Sequence, residues 1–479
     1  MPTRTTARHF ALLVLSCLAA TSRPAFAQMS LESGPSNAFL ERQRSLEREN
    51  SRRLQRDLPL DQRFQLDFGG WYNMYFFLFD DGVNSSRTLR QHELRLWTSF
   101  SADQGIHTGY ARMRGSYNDW NHGDSFTGNE DDLDGPNLER GWYQFDMAKA
   151  MRVHGSGNPS YELNVKAGRD LVNAGTGFAI NLPLDHVQVQ GQALNFQTTM
   201  LLGKTPASTP NIDRGRSVSD HSDRRFWILE ERYKGFAHHE PFAYVAWQED
   251  DTQEDPRDLL QNYSYDSTYM GFGSTGELVQ NLRYGTEWVL ERGESYGDNR
   301  YLYRDAVKAW AFDQRLDYFF RHKMKPTLSA EYMFASGDPN RLGSPTNAEG
   351  GNRNDYVDHS FVGFGFRDTG ISFSPRLSNV HVWRLGGSFR PLPDHQATKN
   401  LELGTDYFLY YKNKSRAAVS DSSADEQSGY LGWEMDYYAN YRIFNDLSWT
   451  VRMGTFFPGD AFSDQTTRTF LLTGVTWSF

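Results

Sequence analysis

The chain closes on a strand that has two different faces. Reading back from the last residue, Phe479, the side chains of Trp477, Val475 and Leu471 fall on one side and those of Ser478, Thr476 and Gly474 on the other, because successive residues of a strand point to opposite sides. An apolar outside, a small polar inside and a terminal aromatic suit the closing strand of an outer-membrane β-barrel. There, alternate residues meet lipid and lumen, and the last aromatic sits in the interfacial girdle. The C-terminal edge strand of a soluble sheet is the alternative.

The opposite end carries an export signal. Arg4 and Arg8 precede an apolar run over residues 10–20, and Ala25-Phe26-Ala27 stands before Gln28. A basic start, a short apolar core and a small-x-small site read as a cleaved secretory signal peptide over residues 1–27. The apolar run is too short to persist as a membrane helix. Val14-Leu15-Ser16-Cys17 weakly resembles a lipoprotein cleavage box, but that cut leaves a very short apolar core, so cleavage after Ala27 is expected. Cys17 is the only cysteine. The mature chain therefore has none, which excludes disulfides and cysteine-ligated metals.

Composition narrows the class. Aromatic residues make up 15% of a chain that is only 38% hydrophobic, with a mean hydropathy of −0.68, and no segment approaches the ~20 apolar residues of a membrane helix. A wide barrel combines these values, since only alternate residues meet lipid and aromatics fill two girdles. A secreted sugar-binding or sugar-cleaving β protein rich in Tyr and Trp is the competing class. Loss of Arg4, Arg8 and Arg23 with the signal takes the formal net charge from −10 to −13. That balance gives no support to nucleic acid binding, and for a pore the sign that matters is that of the inward-facing residues.

Residues 28–62 form a separate leader. The stretch 37–58 is dense in Arg and Glu, and Phe39, Leu46 and Leu54 are too sparse for a strong apolar stripe. A short periplasmic helix or a flexible arm is expected, either inert or docking periplasmic secretion-complex scaffold proteins. From residue 63 onward, short alternating segments follow one another between Gly, Asn, Asp and Pro. Leu94, Leu96, Thr98 and Phe100 oppose Glu93, Arg95 and Ser99; Ala111 and Met113 oppose Arg112 and Arg114; Tyr143, Phe145 and Met147 oppose Arg140, Gln144 and Asp146. Leu163, Val165 and Ala167 oppose Glu162, Asn164 and Lys166; Trp288 and Leu290 oppose Glu287 and Glu291; Leu328 and Ala330 oppose Ser329 and Glu331. A soluble sandwich also alternates, but its outer faces would not repeat charges so regularly. About 415 residues, at roughly 10 per membrane strand plus a turn or loop, allow about 16 to 18 strands.

Parity then assigns the sides. With the C-terminus periplasmic, the turn at Pro458-Gly459-Asp460 is extracellular, Asn445-Asp446 periplasmic, 413–428 extracellular, 393–399 periplasmic and 336–379 extracellular. Periplasmic turns come out short and outer loops long, the asymmetry expected of such barrels. The 336–379 loop is long enough to be functional or disordered. It can fold inward as a constriction, cover the mouth, or stay a disordered surface loop.

Several stretches carry a family resemblance. Gly363-Phe364-Gly365-Phe366-Arg367-Asp368-Thr369-Gly370, Pro375-Arg376-Leu377-Ser378-Asn379, Arg384-Leu385-Gly386, Gly168-Arg169-Asp170, Ala330-Glu331-Tyr332 and Ser336-Gly337-Asp338, with the hairpin from Arg452 to Ala461 and the aromatic terminus, resemble the alginate-export family of outer-membrane barrels over most of residues 65–479. The resemblance implies an 18-stranded barrel whose arginine- and lysine-lined pore passes an anionic polysaccharide, gated by a periplasmic and an extracellular loop. By motif, Arg140, Arg169 and Arg452 correspond to pore arginines, and Arg376 is a weaker match. Asp170 stands where a glutamine is common in the family. Lys166, Arg112 and Arg114 lie on inward faces by phase. Arginine suits a polyuronate because its planar fork pairs with a carboxylate bidentately, while translocation needs each site weak enough to leave. Equally, these arginines can pair with Glu162, Asp146, Glu139 or Glu93 on neighbouring strands and brace the wall.

Signals for catalysis are weak. His359-Ser360 and His221-Ser222 place a histidine beside a serine, but neighbours in a strand point apart and a general base must reach its proton. The carboxylate runs Glu230-Glu231, Asp250-Asp251 and Glu130-Asp131-Asp132 read as solvated loops, with Ca²⁺ conceivable at 129–134. His238-His239-Glu240 lacks a third ligand at metal spacing, and no phosphate-binding motif is present. The expectation is an all-β, transmembrane antiparallel barrel of about 18 strands in the Gram-negative outer membrane. It is a pore for an anionic polysaccharide, in contact with outer-membrane lipid, and needs no cofactor, metal or nucleic acid. An uptake porin for small anionic or aromatic solutes and an outer-membrane hydrolase are the alternatives.

Overall fold

The computed structural model describes residues 65–479, apart from 83, 126–130, 156, 158, 207–222, 252–264, 297–303 and 342–356. The signal peptide, the 28–62 leader, the His221-Ser222 pair and Glu130 lie outside the described residues. The chain runs through β1 (Gln65–Asp80), β2 (Arg87–Ala102), β3 (His107–Trp120), β4 (Asp131–Asp146), helix α1 (Met147–His154), β5 (Glu162–Ala174), β6 (Ile180–Ala193), β7 (Phe196–Lys204), β8 (Arg224–Tyr233) and β9 (His239–Asp250). It continues through β10 (Asp266–Val279), β11 (Leu282–Tyr296), β12 (Arg304–Phe319), β13 (Thr327–Ala335), a two-residue β14 (Val357–Asp358), β15 (Val380–Phe389), β16 (Leu401–Lys412), β17 (Tyr430–Arg442), β18 (Leu447–Pro458) and β19 (Arg468–Ser478). Each strand pairs with its sequence neighbours, β13 with β15, and β19 returns to β1. The result is a closed antiparallel barrel of 18 strands, with β14 standing apart as a short parallel pair with β12.

The closing seam joins Trp71 through Asp80 to Ser478 through Thr469. The Phe479 amide donates to the Gly70 carbonyl at 3.0 Å and the Gly70 amide to the Phe479 carbonyl at 2.9 Å. Closure leaves no sheet edge, which is the condition for backbone to cross lipid as strands. The described residues contain no helix long and apolar enough to cross a membrane.

The two faces of the wall are reversed relative to a soluble protein. Phe68, Leu385, Leu328, Trp247 and Trp477 are exposed on the outside. Glu93, Arg112, Glu287, Glu291, Glu331 and Glu434 are buried on the inside. Stacked aromatics such as Trp288 with Trp310 and Trp433 with Phe457 line the outer surface, as in interfacial girdles. The period-two phases therefore hold in β2, β3, β5, β11 and β13.

Two sequence expectations need correction. Met147 does not continue the β4 alternation: it opens α1, whose first turn is capped by Asp146 accepting from the Lys149 amide at 2.9 Å. The carboxylate runs are not solvated loops: Glu230-Glu231 lies within β8, with Glu230 buried inside and Glu231 bonded to Thr198 on the other face, Asp250 ends β9 in a buried pair with Arg224 at 3.1 Å, and Asp131-Asp132 opens β4.

Residues 361–379, in the connection before β15, fold inward. The base of the connection is fixed where the Asn379 amide donates to the Ser336 carbonyl at 3.1 Å. Phe364 reaches the β5–β6 connection, donating to the Ala179 carbonyl at 2.8 Å and accepting from the Asn181 amide at 2.9 Å. Gly365 is obligatory there, since an added Cβ would lie 1.9 Å from the Phe178 carbonyl oxygen. The buried apolar cluster, with Phe178, Phe361, Phe364 and Tyr269, extends from β5 to the β18–β19 connection and includes no residue of β1–β4 or β19. The inward loop thus fills one side of the lumen, and the wall of β19 and β1–β4 faces what is left.

Candidate functional site

That remaining wall carries a ladder of opposite charges. On β2, Arg95 pairs with Glu93 and, at 2.9 Å, with Glu139 of β4. On β3, Arg112 reaches Glu139 at 2.6 Å and Arg114 reaches Glu93 at 2.9 Å. On β4, Arg140 stands 3.4 Å from Asp170 of β5, which also pairs with Lys166. The bracing by Glu139 and Glu93 is therefore real; Asp170 fills the third place, while Asp146 is engaged with Lys149 at 3.3 Å. Five cations share three carboxylates, so the ladder keeps a positive excess after its internal pairing.

A bulge makes this arrangement possible. Arg112 lies opposite Arg140, yet Met113 lies opposite Leu138, so Glu139 is the extra residue. Glu139 and Arg140 then both reach inward, which simple alternation forbids.

The sequence-derived residues divide by placement. Arg112, Arg114, Arg140 and Lys166 come together in the ladder. Arg452 is on an inward position of β18 opposite Tyr438, and among the described residues it makes no ion pair. Arg376 is on no strand; it lies in the loop before β15, where its amide donates to Ser420 Oγ at 2.9 Å. Arg169 is on the other face. It lies opposite Gly141, while the next pair, Trp142 with Gly168, points inward. Its guanidinium pairs with Asp185 at 2.6 and 2.9 Å and donates to the Leu138 carbonyl at 2.9 Å. Leu138 and Val187 are exposed beside it on the outer surface.

Facing the ladder, wall carboxylates hold the inward loop. Arg367 Nη2 is 2.8 Å from Asp313 and Nε 3.7 Å from Glu331. Asp368 is 3.3 Å from Arg384, which also reaches Asp406 at 2.9 Å. Glu434 accepts the amides of Ile371, Ser372 and Phe373 at 2.7, 2.6 and 2.8 Å. Glu291 accepts the Val362 amide at 3.0 Å. Although burial lowers the Arg367 guanidinium pKa, the charges of Asp313, Glu331 and Glu287 outweigh that and raise it, so it stays charged. Sequence reasoning missed Arg95, Arg367 and Arg384 as site residues. Their signals were the inward phase of β2 and the motifs Gly363 to Gly370 and Arg384-Leu385-Gly386.

The His359-Ser360 pair has no relay geometry. His359 Nδ1 lies 2.9 Å from the Lys308 carbonyl oxygen, while Ser360 Oγ accepts the Asp338 amide at 3.0 Å. Among the described residues no group of three or more metal-ligating side chains occurs.

A family model described as "Alginate export" matches residues 190–474, more than half of the chain. Among solved structures, Pseudomonas aeruginosa OccK11 (OpdR) is similar with a TM-score of 0.52 at 13% identity, covering 86% of this chain and 96% of its own. OccK8 (OprE) from the same organism gives 0.52 and 13% over 87% and 98%. P. aeruginosa OpdK, solved with vanillate, gives 0.51 and 9% over 87% and 98%. At these identities the likeness is one of fold. No curated protein matches the sequence.

Proposed function

Because the chain belongs to the alginate-export family of outer-membrane barrels, we propose that it passes an anionic polysaccharide of the polyuronate class outward through the lumen. The observation that supports this most is the inward ladder, in which Arg95, Arg112, Arg114, Arg140 and Lys166 outnumber Glu93, Glu139 and Asp170. A polymer with one carboxylate per sugar can exchange these carboxylates for its own, residue by residue. Each guanidinium is already paired, so a sugar carboxylate gains only the difference between two similar contacts. That keeps every step shallow, as conduction requires. Residues 1–27 would direct export to the periplasm, and the 28–62 arm would offer a surface for periplasmic scaffold proteins. With no nucleotide motif in the sequence, the drive would come from synthesis of the polymer at the inner membrane.

The inward loop favours a second reading, uptake of small anionic or aromatic solutes, because it narrows the lumen. Planar-bilayer recording of the refolded mature chain separates the two. Anion selectivity with block by polyuronate supports export, and Arg140→Glu with Arg452→Glu should then invert the selectivity. Indifference to polyuronate together with permeation of small aromatic acids would replace export by uptake.

A further inference from the structure

Two rows of unlike side chains run side by side over the inner faces of β2, β3 and β4. Trp97, Tyr110 and Trp142 form the first. Their ring centroids are 6.3 and 6.1 Å apart, with planes inclined by 19° and 27°. All three rings are half-buried, in the part of the wall that the apolar cluster does not reach. The second row lies two residues further along the same face of each strand, towards the end of the barrel where the inward loop enters. It consists of Arg95, Arg112 and Arg140. The strand rise sets the rows about 7 Å apart. Lys166 ends the arrangement, its ammonium 4.6 Å from the centroid of the Trp142 ring.

Each row selects for a different part of a ligand. An aromatic face is apolar and takes the C–H face of a pyranose ring. A guanidinium takes a carboxylate at the ring's edge. An inorganic anion needs only the second row, and a neutral glycan only the first. The sheet repeats both, strand after strand, so the pair of rows matches a chain in which every unit has an apolar face and one acidic edge.

We propose that the two rows form one sliding subsite for a hexuronate chain, with ring faces passing over Trp97, Tyr110 and Trp142 while carboxylates step along Arg95, Arg112 and Arg140. This rests on the export reading and adds to it that the sugar ring, and not only its charge, is recognised.

The test compares two blockers of the mature channel in planar bilayers: a polyuronate oligomer and polyglutamate, which carries the charge without the ring. In Trp97→Leu with Trp142→Leu, the polyuronate dwell time should shorten about tenfold, the scale of one to two stacking contacts. The polyglutamate dwell time and chloride selectivity should stay as in the wild type, which also reports an intact barrel. An unchanged polyuronate dwell time would overturn the subsite and leave export standing. Equal shortening for both polymers would overturn it too, because the rings would then merely shape the arginine row. A wild-type channel that polyuronate never blocks would remove export itself. If the double variant does not insert, the single Trp97→Leu gives the same comparison with a smaller factor.

Discussion

Arg140 and Arg169 lie on neighbouring strands, in adjacent pairs of the register, and face different media. Arg140 looks into the lumen; Arg169 looks outward, where its charge is balanced by Asp185 and a third donor satisfies the Leu138 carbonyl. An unpaired arginine on a lipid-facing position costs about 2–4 kcal/mol near the bilayer midplane. Asp185→Leu alone should therefore destabilise the barrel by roughly that amount in urea titrations. Arg169→Leu with Asp185→Leu should recover most of the loss and leave ion selectivity as in the wild type. A selectivity change in the double variant would return Arg169 to the pore. Gly365 is a second position where one atom decides. With a Cβ 1.9 Å from the Phe178 oxygen, Gly365→Ala cannot seat the loop against the β5–β6 connection, and larger or noisier single-channel currents are expected.

Among elements, the loop before β15 depends on wall groups more than on its own sequence. Glu434 alone accepts three successive amides. Removing it leaves buried donors that cost about 1–3 kcal/mol each, so Glu434→Ala should release residues 371–373 and raise conductance. At the loop end of the barrel, residues 413–429 are tied down by Asp421, 2.5 Å from Arg468. Burial pushes the Asp421 carboxyl up, but hydrogen bonds from Ser423 and the charge of Arg468 outweigh it and hold its pKa below the ordinary value. A lowered native pKa gives a stabilisation present above the unfolded value and lost as pH falls through the native one. The tie should thus persist at neutral pH and fail only in strong acid. Pepsin nicking within 413–429 should rise there, and Asp421→Asn should already be nicked at milder pH. Legibility in the sequence also divides by element. β2 could be phased from Leu94, Leu96 and Arg95 because an unbroken strand alternates. In β4 alternation places Arg140 and Gln144 inward and Tyr143 and Phe145 outward, as they stand, but it could not show Glu139, which the bulge turns inward beside Arg140. Arg169 was assigned from a motif, although the phase of its own strand, with Lys166 inward, already put position 169 outside. The inward course of 361–379 was one of three open courses for a long loop, since the acceptors that hold it lie on β11, β12, β13 and β17.

For the whole molecule, closure is the condition on which the rest stands. The final residues pair Trp477 with Tyr72 and Ser478 with Trp71, and Phe479 with Gly70. Deleting Trp477 to Phe479 removes the end of the seam and exposes an edge where lipid offers no hydrogen bonds. Outer-membrane assembly should be lost, read as absence of a heat-modifiable band; a normal band would show that β19 closes without them. Chain length and strand span report a count of about 16 to 18 and the family resemblance the 18 observed, whereas the unequal filling of the lumen depends on contacts between distant elements.

That unequal filling has a mechanical consequence. A hollow cylinder with a strut fixed to one side deforms elsewhere. Here the strut ties β5–β6 to β11, β12, β15 and β17, so those staves move together as a stiff shell. Among the described residues, β19 is held only at its loop end, where Ser372 Oγ donates to the Arg468 carbonyl at 3.1 Å; the arc of β1–β4 contributes nothing to the buried cluster and is the compliant part of the circumference. A cargo wider than the resting gap would meet least resistance from this arc, by its bowing outward. The bilayer's resistance to lateral compression then becomes part of the resistance the cargo meets.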